Sequence, residues 1–232
     1  TYNFTGTDNG EEFSYWMGSL LNVDNGTPVD IASTLTYNTN NAAPDASEIT
    51  TVTNGALVLS AWYVFNDTEV VTPKYGWEDR AANIVGSINN LSVSSQLFET
   101  AGATGSSTLI SVIDTRESYS GQFAFRPAGS PTATGSVVAA VVTKTPLGNT
   151  NPYETVELRD QRTGFGTAAA SSVFTVNRPV VENGDVLVAV VAREDDPTIT
   201  PPSGWLVGDT RAEITGNDMY TGVWYKVITN AG

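Results

Sequence analysis

An internal repeat constrains this chain of 232 residues more than any other feature. Asn54-Gly55-Ala56-Leu57-Val58-Leu59 is answered by Asn183-Gly184-Asp185-Val186-Leu187-Val188, and Thr72-Pro73-Lys74-Tyr75-Gly76-Trp77 by Thr200-Pro201-Pro202-Ser203-Gly204-Trp205. The asparagines are 129 residues apart and the glycines that precede tryptophan 128. Leu97-Phe98-Glu99 set against Trp224-Tyr225-Lys226 falls 127 residues on, close to the same register. Self-similarity at a constant offset is the mark of a duplicated unit. Each shared element has a physical task. Asn-Gly supplies a positive-φ turn into a buried strand, and Thr-Pro-x-x-Gly-Trp ends an edge segment before planting a large aromatic in the core. Trp77, Trp205 and Trp224 are therefore expected as core anchors rather than as sugar-stacking platforms.

The rest of the pattern is strand and turn. Ala56-Leu57-Val58-Leu59, the run 137–142 (VVAAVV) and the run 186–191 (VLVAVV) are short, apolar and largely β-branched, as strands buried on both faces are. Leu109-Ile110-Ser111-Val112-Ile113 and Gln122-Phe123-Ala124-Phe125-Arg126 alternate instead, one face apolar and the other polar or small. Asn25-Gly26, Asn54-Gly55, Asn183-Gly184 and Pro201-Pro202-Ser203-Gly204 punctuate them. No amphipathic helix longer than a turn or two is legible. The expectation is an all-β chain of two tandem β-sandwich modules of jelly-roll or immunoglobulin-like type.

The two copies end differently. After Phe98 the first continues through Ser107-Thr108-Leu109-Ile110-Ser111-Val112 and the run 117–125 (ESYSGQFAF), two further strands, whereas the second reaches Gly232 where such strands should begin. Matching material stands at the other end of the sequence: residues 1–5 (TYNFT), then residues 11–20 (EEFSYWMGSL), with 11–17 laid against 117–123. The chain thus reads as a permuted pair: residues 1–29 are complementing strands, 30–130 module 1 and 131–232 a module 2 incomplete without the N-terminal segment. An incomplete sandwich exposes unpaired backbone and apolar surface that something must cover. Tyr2, Phe4, Phe13, Tyr15 and Met17 are the expected assembly residues, closing module 2 of the same or a neighbouring subunit. Closure between subunits is strand addition, which generates open polymers. The sequence begins with neither Met nor a signal peptide, so a processed or partial chain is expected.

Composition closes off most chemistry. With no His and no Cys, the chain has no Ser-His-Asp triad, thiolate nucleophile or usual zinc site. Paired carboxylates remain, densest at Glu154, Glu157 and Asp160, but their Thr-rich, β-branched surroundings favour solvated charges over a glycosidase pair, and no enzyme activity is expected. A net charge of −14, from 25 acidic and 11 basic residues, repels nucleic acid and anionic membranes. No apolar run approaches the roughly 20 residues of a membrane span. Asp8-Asn9-Gly10-Glu11-Glu12 and Glu194-Asp195-Asp196 gather oxygen ligands suited to Ca²⁺, without EF-hand spacing; charged loop tips are the simpler reading, and no cofactor is expected. Gly164-Phe165-Gly166 lacks the downstream glycine and helix of a phosphate cradle. Sequons at Asn3, Asn25, Asn66 and Asn90 are candidate glycan acceptors.

The run 183–188 (NGDVLV), the turn 200–205 (TPPSGW) and Val223-Trp224-Tyr225-Lys226-Val227 resemble β-sandwich repeats of phage appendage proteins and large secreted bacterial surface proteins. That resemblance implies an extracellular, assembly-forming or adhesive part at a cell or virion surface and carries over no catalytic residue. The first expectation is a structural subunit of an extracellular filament, a homopolymer partnered by copies of itself. The alternative is a carbohydrate-binding, lectin-like sandwich pair, recognisable by an exposed aromatic row; a polysaccharide-cleaving enzyme with two carboxylates across a groove is third.

Overall fold

Turn chemistry sets the strand boundaries. In the computed structural model, which describes residues 1–6, 12–31, 35–41, 44–65, 72–73, 76–85, 89–110, 116–129, 155–167, 173–193, 198–212 and 220–231, Gly55, Gly76, Gly184 and Gly204 all have positive φ, at 79°, 96°, 93° and 83°. These are the glycines of the two repeated motifs, held where a side chain would be strained.

The strands are β1 (Tyr2–Gly6), β2 (Glu12–Leu21), β3 (Val29–Ile31), β4 (Thr36–Asn41), β5 (Asp45–Ala46), β6 (Ala56–Phe65), β7 (Thr72–Pro73), β8 (Glu78–Val85) and β9 (Asn89–Phe98). They continue with β10 (Ser107–Ile110), β11 (Arg116–Phe125), β12 (Glu157–Thr167), β13 (Val173–Val176), β14 (Val186–Arg193), β15 (Ile199–Thr200), β16 (Leu206–Ala212) and β17 (Tyr220–Val227). The chain is all-β, and among the described residues no helix is long and apolar enough to cross a membrane. The expected strand at 137–142 lies outside the described residues.

Two large antiparallel sheets share one plan. One runs β3-β11-β6-β9-β8, with β4 also on β11; the other runs β12-β2-β14-β17-β16. Each is covered by a small three-stranded sheet, β5-β10-β7 or β13-β1-β15. The correspondence extends to register. Leu57 lies between Phe125 and Leu97, and Val186 between Leu20 and Val227; Tyr63 lies between Tyr119 and Leu91, and Ala192 between Ser14 and Thr221. Even the closing turns agree: Gly55 N donates to the Phe98 carbonyl and Gly184 N to that of Ile228, each at 2.8 Å.

These registers correct two alignments made on residue type. Phe98 corresponds to Ile228, so Leu97 answers Val227 and not Trp224; Leu97 is exposed, whereas Trp224 is buried. Glu12, not Glu11, answers Glu117, because Leu20 stands where Phe125 does. In a strand a one-residue slip moves every side chain to the other face, so matching aromatics to aromatics chose the wrong face of β2.

The large sheets pack face to face. Leu57, Leu59, Ala61 and Tyr63 of β6 meet Val186, Val188, Val190 and Ala192 of β14, with Trp16, Leu20, Phe123 and Phe125, in one shared core. The opposite face of β14 presents Leu187, Ala189 and Val191 to a second core under the small sheet, with Phe4, Phe174, Trp205 and Trp224. The architecture is therefore four layers with the large sheets inside. Edges meet across the middle: Gln161 Nε2 of β12 donates to the Arg80 carbonyl of β8 (2.6 Å), and Leu35 N, just before β4, donates to Asp209 Oδ2 of β16 (2.5 Å).

Two glycines make room for tryptophan. A Cβ on Gly222 would collide with the Trp224 indole, and one on Gly18 with that of Trp16, because each ring folds back over the residue two positions earlier or later on its own face. Gly222→Ala is expected to lower stability by about 1–3 kcal/mol through overpacking, whereas Gly26→Ala, in an exposed turn, leaves it nearly unchanged; urea denaturation of the two variants checks this.

Candidate functional site

The N-terminal strands lie within the second pair of sheets. β2 lies between β12 and β14, paired from Glu12 to Leu21 on one side and from Phe13 to Leu20 on the other. β1 lies between β13 and β15, with Phe4 opposite Phe174 and Thr5 opposite Thr200. Phe4, Phe13, Tyr15 and Met17 are buried in the outer core and Tyr2 is partly buried against it, its ring 5.1 Å edge-on from Trp205. The alternation dictated by the strand period sends Trp16 and Leu20 to the shared core. All five aromatic and thioether side chains singled out in residues 1–17 thus converge on one layer. Trp77, Trp205 and Trp224 are buried as well.

Polar contacts fix the segment at defined points. Trp16 Nε1 donates to Gln161 Oε1 (3.0 Å), Asn177 N to the Tyr15 hydroxyl (3.3 Å) and Thr175 Oγ1 to Asn3 Oδ1 (3.0 Å). The most connected point is Asp185, almost fully buried. Its carboxylate accepts from Ser19 Oγ of β2 (3.0 Å), from Arg159 Nε and Nη2 of β12 (2.8 and 3.1 Å) and from Glu182 N (2.8 Å). Arg159 also reaches Glu182 at 3.1 Å. One carboxylate thereby ties β2, β12 and the turn into β14 together.

The first pair of sheets solves the same problem with the opposite charge. Pairing on β12 shifts between Leu158 and Asp160, and pairing on β11 shifts at the equivalent step opposite Val29 and Ile31, so Arg159 and Asp30 are the corresponding bulge residues. Bulges re-aim a side chain. Buried Asp30 accepts from Val52 N (2.8 Å), Thr53 N (3.4 Å) and Thr53 Oγ1 (2.5 Å), with Arg126 Nε at 3.5 Å. Neither carboxylate was singled out from sequence, although one signal was present. Asp185 stands where the first copy has Ala56, a charge at a position expected to begin a buried strand.

The expected carboxylate group disperses. Glu154 lies outside the described residues, Glu157 is exposed, and Asp160 accepts from Val180 N (2.7 Å) and Arg162 Nη1 (2.8 Å). The Val180 amide, aided by Gln161 N and Arg162, outweighs burial and holds the Asp160 carboxyl below its ordinary range. A groove of about 530 Å³ opens between the paired sheets, with Leu57, Leu97 and Leu158 in its lining; Glu78 and Glu157 line it too, and Glu78 is ion-paired with Arg80 at 2.6 Å. Among the described residues, no group of three or more metal-ligating acidic side chains converges. The acidic runs at 8–11 and 194–196 lie outside them. Phe165 is the one exposed phenylalanine or tryptophan among the described residues, so no aromatic row is presented there.

Asn3 and Asn25 are exposed, and Asn66 lies outside the described residues. Asn90 is fully buried in β9 between Leu91 and its β6 partner Val64, which leaves no room for a glycan on the folded chain. This corrects its reading as an acceptor: a sequon is legible in sequence, burial of its asparagine is not. No protein-family model, curated protein or solved structure matches the chain.

Two outcomes follow. Asp185→Ala leaves Ser19 Oγ and Glu182 N without their acceptor and is expected to cost about 1–3 kcal/mol, read by chemical denaturation, with Asp185→Asn recovering part of the loss. Asp160, with its folded-state carboxyl held low, stabilises fully above the unfolded value of about 3.9 and loses that contribution as pH falls through the lower folded value. Asp160→Asn should therefore flatten the acid limb of the stability–pH profile; an unchanged limb would contradict the assignment.

Proposed function

We propose that this chain is a non-catalytic structural subunit of an extracellular filament or surface appendage, polymerising by strand addition. It comprises two copies of one sandwich unit, permuted so that residues 1–21 complete the second copy, and in the assembly they complete that of a neighbouring subunit. The observation carrying the proposal is the placement of β2. It is an interior strand of its sheet, paired along both edges by β12 and β14, and residues 22–28 carry it on to β3 in the other large sheet. An interior strand whose connector leads out of its own sheet is the element that strand addition exchanges between subunits.

The connector has the features of a hinge. Asn22 has φ of 60°, the one positive value outside glycine among the described residues. Asp24 holds the turn by accepting from Gly26 N (2.8 Å), Thr27 N (3.2 Å) and Thr27 Oγ1 (3.0 Å). Buried Val23 and the backbone bonds of Asn22, Asp24 and Pro28 to residues 126–128 anchor the far side of the connector, and the apolar burial regained when the same strands seat in another copy offsets the opening of the exposed Asp24 contacts. Heterologous addition of this kind gives a linear homopolymer where its rotation does not close into a ring. The acidic surface suits an extracellular setting, with exposed Asn3 and Asn25 as glycan acceptors.

Purified chain is expected to form fibres by negative-stain electron microscopy, and an excess of a synthetic peptide of residues 1–21 should shorten them by capping open ends. A sample that stays monomeric across concentration, or fibres indifferent to the peptide, would overturn the proposal.

A further inference from the structure

The two outer cores differ in kind although strand order and register correspond between their large sheets. In the second pair of sheets, adjacent strands place Met17, Ala189 and Trp224 side by side; the equivalent row in the first is Gln122, Ser60 and Ser94. The next row is Tyr15, Val191 and Gly222 in the second and Ser120, Trp62 and Ser92 in the first. One row further, Phe13, Arg193 and Tyr220 in the second correspond to Ser118, Val64 and Asn90 in the first. Around Trp62 and Val64, most of these positions thus carry hydroxyls and amides in place of aromatic and aliphatic side chains, and the residues are nonetheless buried: Ser60, Ser92, Ser94, Ser118 and Trp62 are each at most 1% exposed.

Some of this polar layer is tied to its cover. Ser120 Oγ donates to the Asp45 carbonyl (2.7 Å), and Gln122 Nε2 donates to the carbonyls of Gly105 (2.8 Å) and Ala46 (3.2 Å) while its Oε1 accepts from Thr104 Oγ1 (2.6 Å). The remainder is not. Ser60 Oγ, Ser92 Oγ, Ser94 Oγ, Ser118 Oγ and Trp62 Nε1 are buried without a hydrogen-bond partner in the protein. Leaving one such group unsatisfied costs about 1–3 kcal/mol, and five clustered on one sheet face would consume much of a net stability of about 5–15 kcal/mol. Ser94 stands where the other pair carries an indole, and Ser118 where it carries a phenyl ring, so small side chains occupy positions that accommodate large ones.

We infer that the layer between β6, β9 and β11 and the small sheet β5-β10-β7 is a hydration site, in which ordered waters bridge Ser60, Ser92, Ser94, Ser118 and the Trp62 indole. A buried water makes about three hydrogen bonds, so about two waters satisfy all five groups. In the second pair the rows Met17-Ala189-Trp224 and Tyr15-Val191-Gly222 hold no buried polar side-chain group without a partner, and they stay dry, as apolar cavities do. The inference is independent of the polymerisation proposal, since it concerns the pair of sheets that residues 1–21 do not enter.

Water-to-amide nuclear Overhauser effects on the full chain test it. Long-lived water cross-peaks are expected at the amides of Ser60, Ser92 and Ser94 and not at those of Ala189, Gly222 and Trp224; their absence at the serines, or equal intensity in both layers, would overturn the inference. Ser60→Ala combined with Ser94→Ala should lose the cross-peak at Ser92 and lower the amplitude of water-oxygen relaxation dispersion. An unchanged amplitude in the folded variant would contradict it, and should the variant fail to fold, the cross-peaks of the unaltered chain decide alone.

Discussion

Burial of both faces of β14 is the constraint on which the rest of the second half depends. All eight of its residues are buried, alternately toward the shared core and toward the outer core. A strand in that position needs a hydrogen-bonded neighbour on each edge and a covering layer on each face. β17 supplies one edge and β2 the other. Phe13, Tyr15, Trp16, Met17 and Leu20 of β2 are each worth on the order of 2 kcal/mol when buried, together comparable to the entire net stability of an ordinary domain. The individual polar locks, at about 1 kcal/mol each, set register more than they supply energy. Residues 1–21 are therefore an obligate part of that half, whichever chain provides them.

The same reasoning explains why polar devices accumulate at the bulges. β12 and the β3 side of β11 each shift by one residue beside the turn that enters the central strand. The backbone amides of 52–53 and of 182 would otherwise lack these acceptors, and a buried carboxylate answers them in each half: Asp30 from the bulge itself, Asp185 from across it. With Asp185 on the central strand, the bulge position carries Arg159 as its counter-charge. A shared framework thus tolerates inversion of charge at one site, provided the amides stay satisfied and the carboxylate stays paired.

Much of this was legible in the sequence. Apolar, β-branched runs announced β6 and β14, and the glycines of Asn-Gly and Gly-Trp announced the positive-φ turns. The N-terminal strand pair was legible because alternating aromatics in 1–17 have no use in a loop. Register was not, since Leu20 answering Phe125 is decided by which residues face the shared core, and that core joins strands more than a hundred residues apart. Asp30 and Asp185 were illegible for a related reason: a charge earns burial only through partners that tertiary structure brings together. The serine layer of the first half was readable only as alternation, since small polar residues at inward positions look like an exposed face until the covering sheet is known.

The central claim is that strands β1 and β2 of one subunit complete the sheets of the next, and pairing of Thr5 with Thr200 offers its most direct test. Both residues are exposed, and the chain has no cysteine of its own, so Thr5→Cys with Thr200→Cys places a single disulfide across the joint. Oxidation of assembled material, followed by denaturing electrophoresis without reductant, should give a ladder of covalent multimers that collapses to one band on reduction. A single monomer band after complete oxidation, with the disulfide mapped within one chain, would contradict the account.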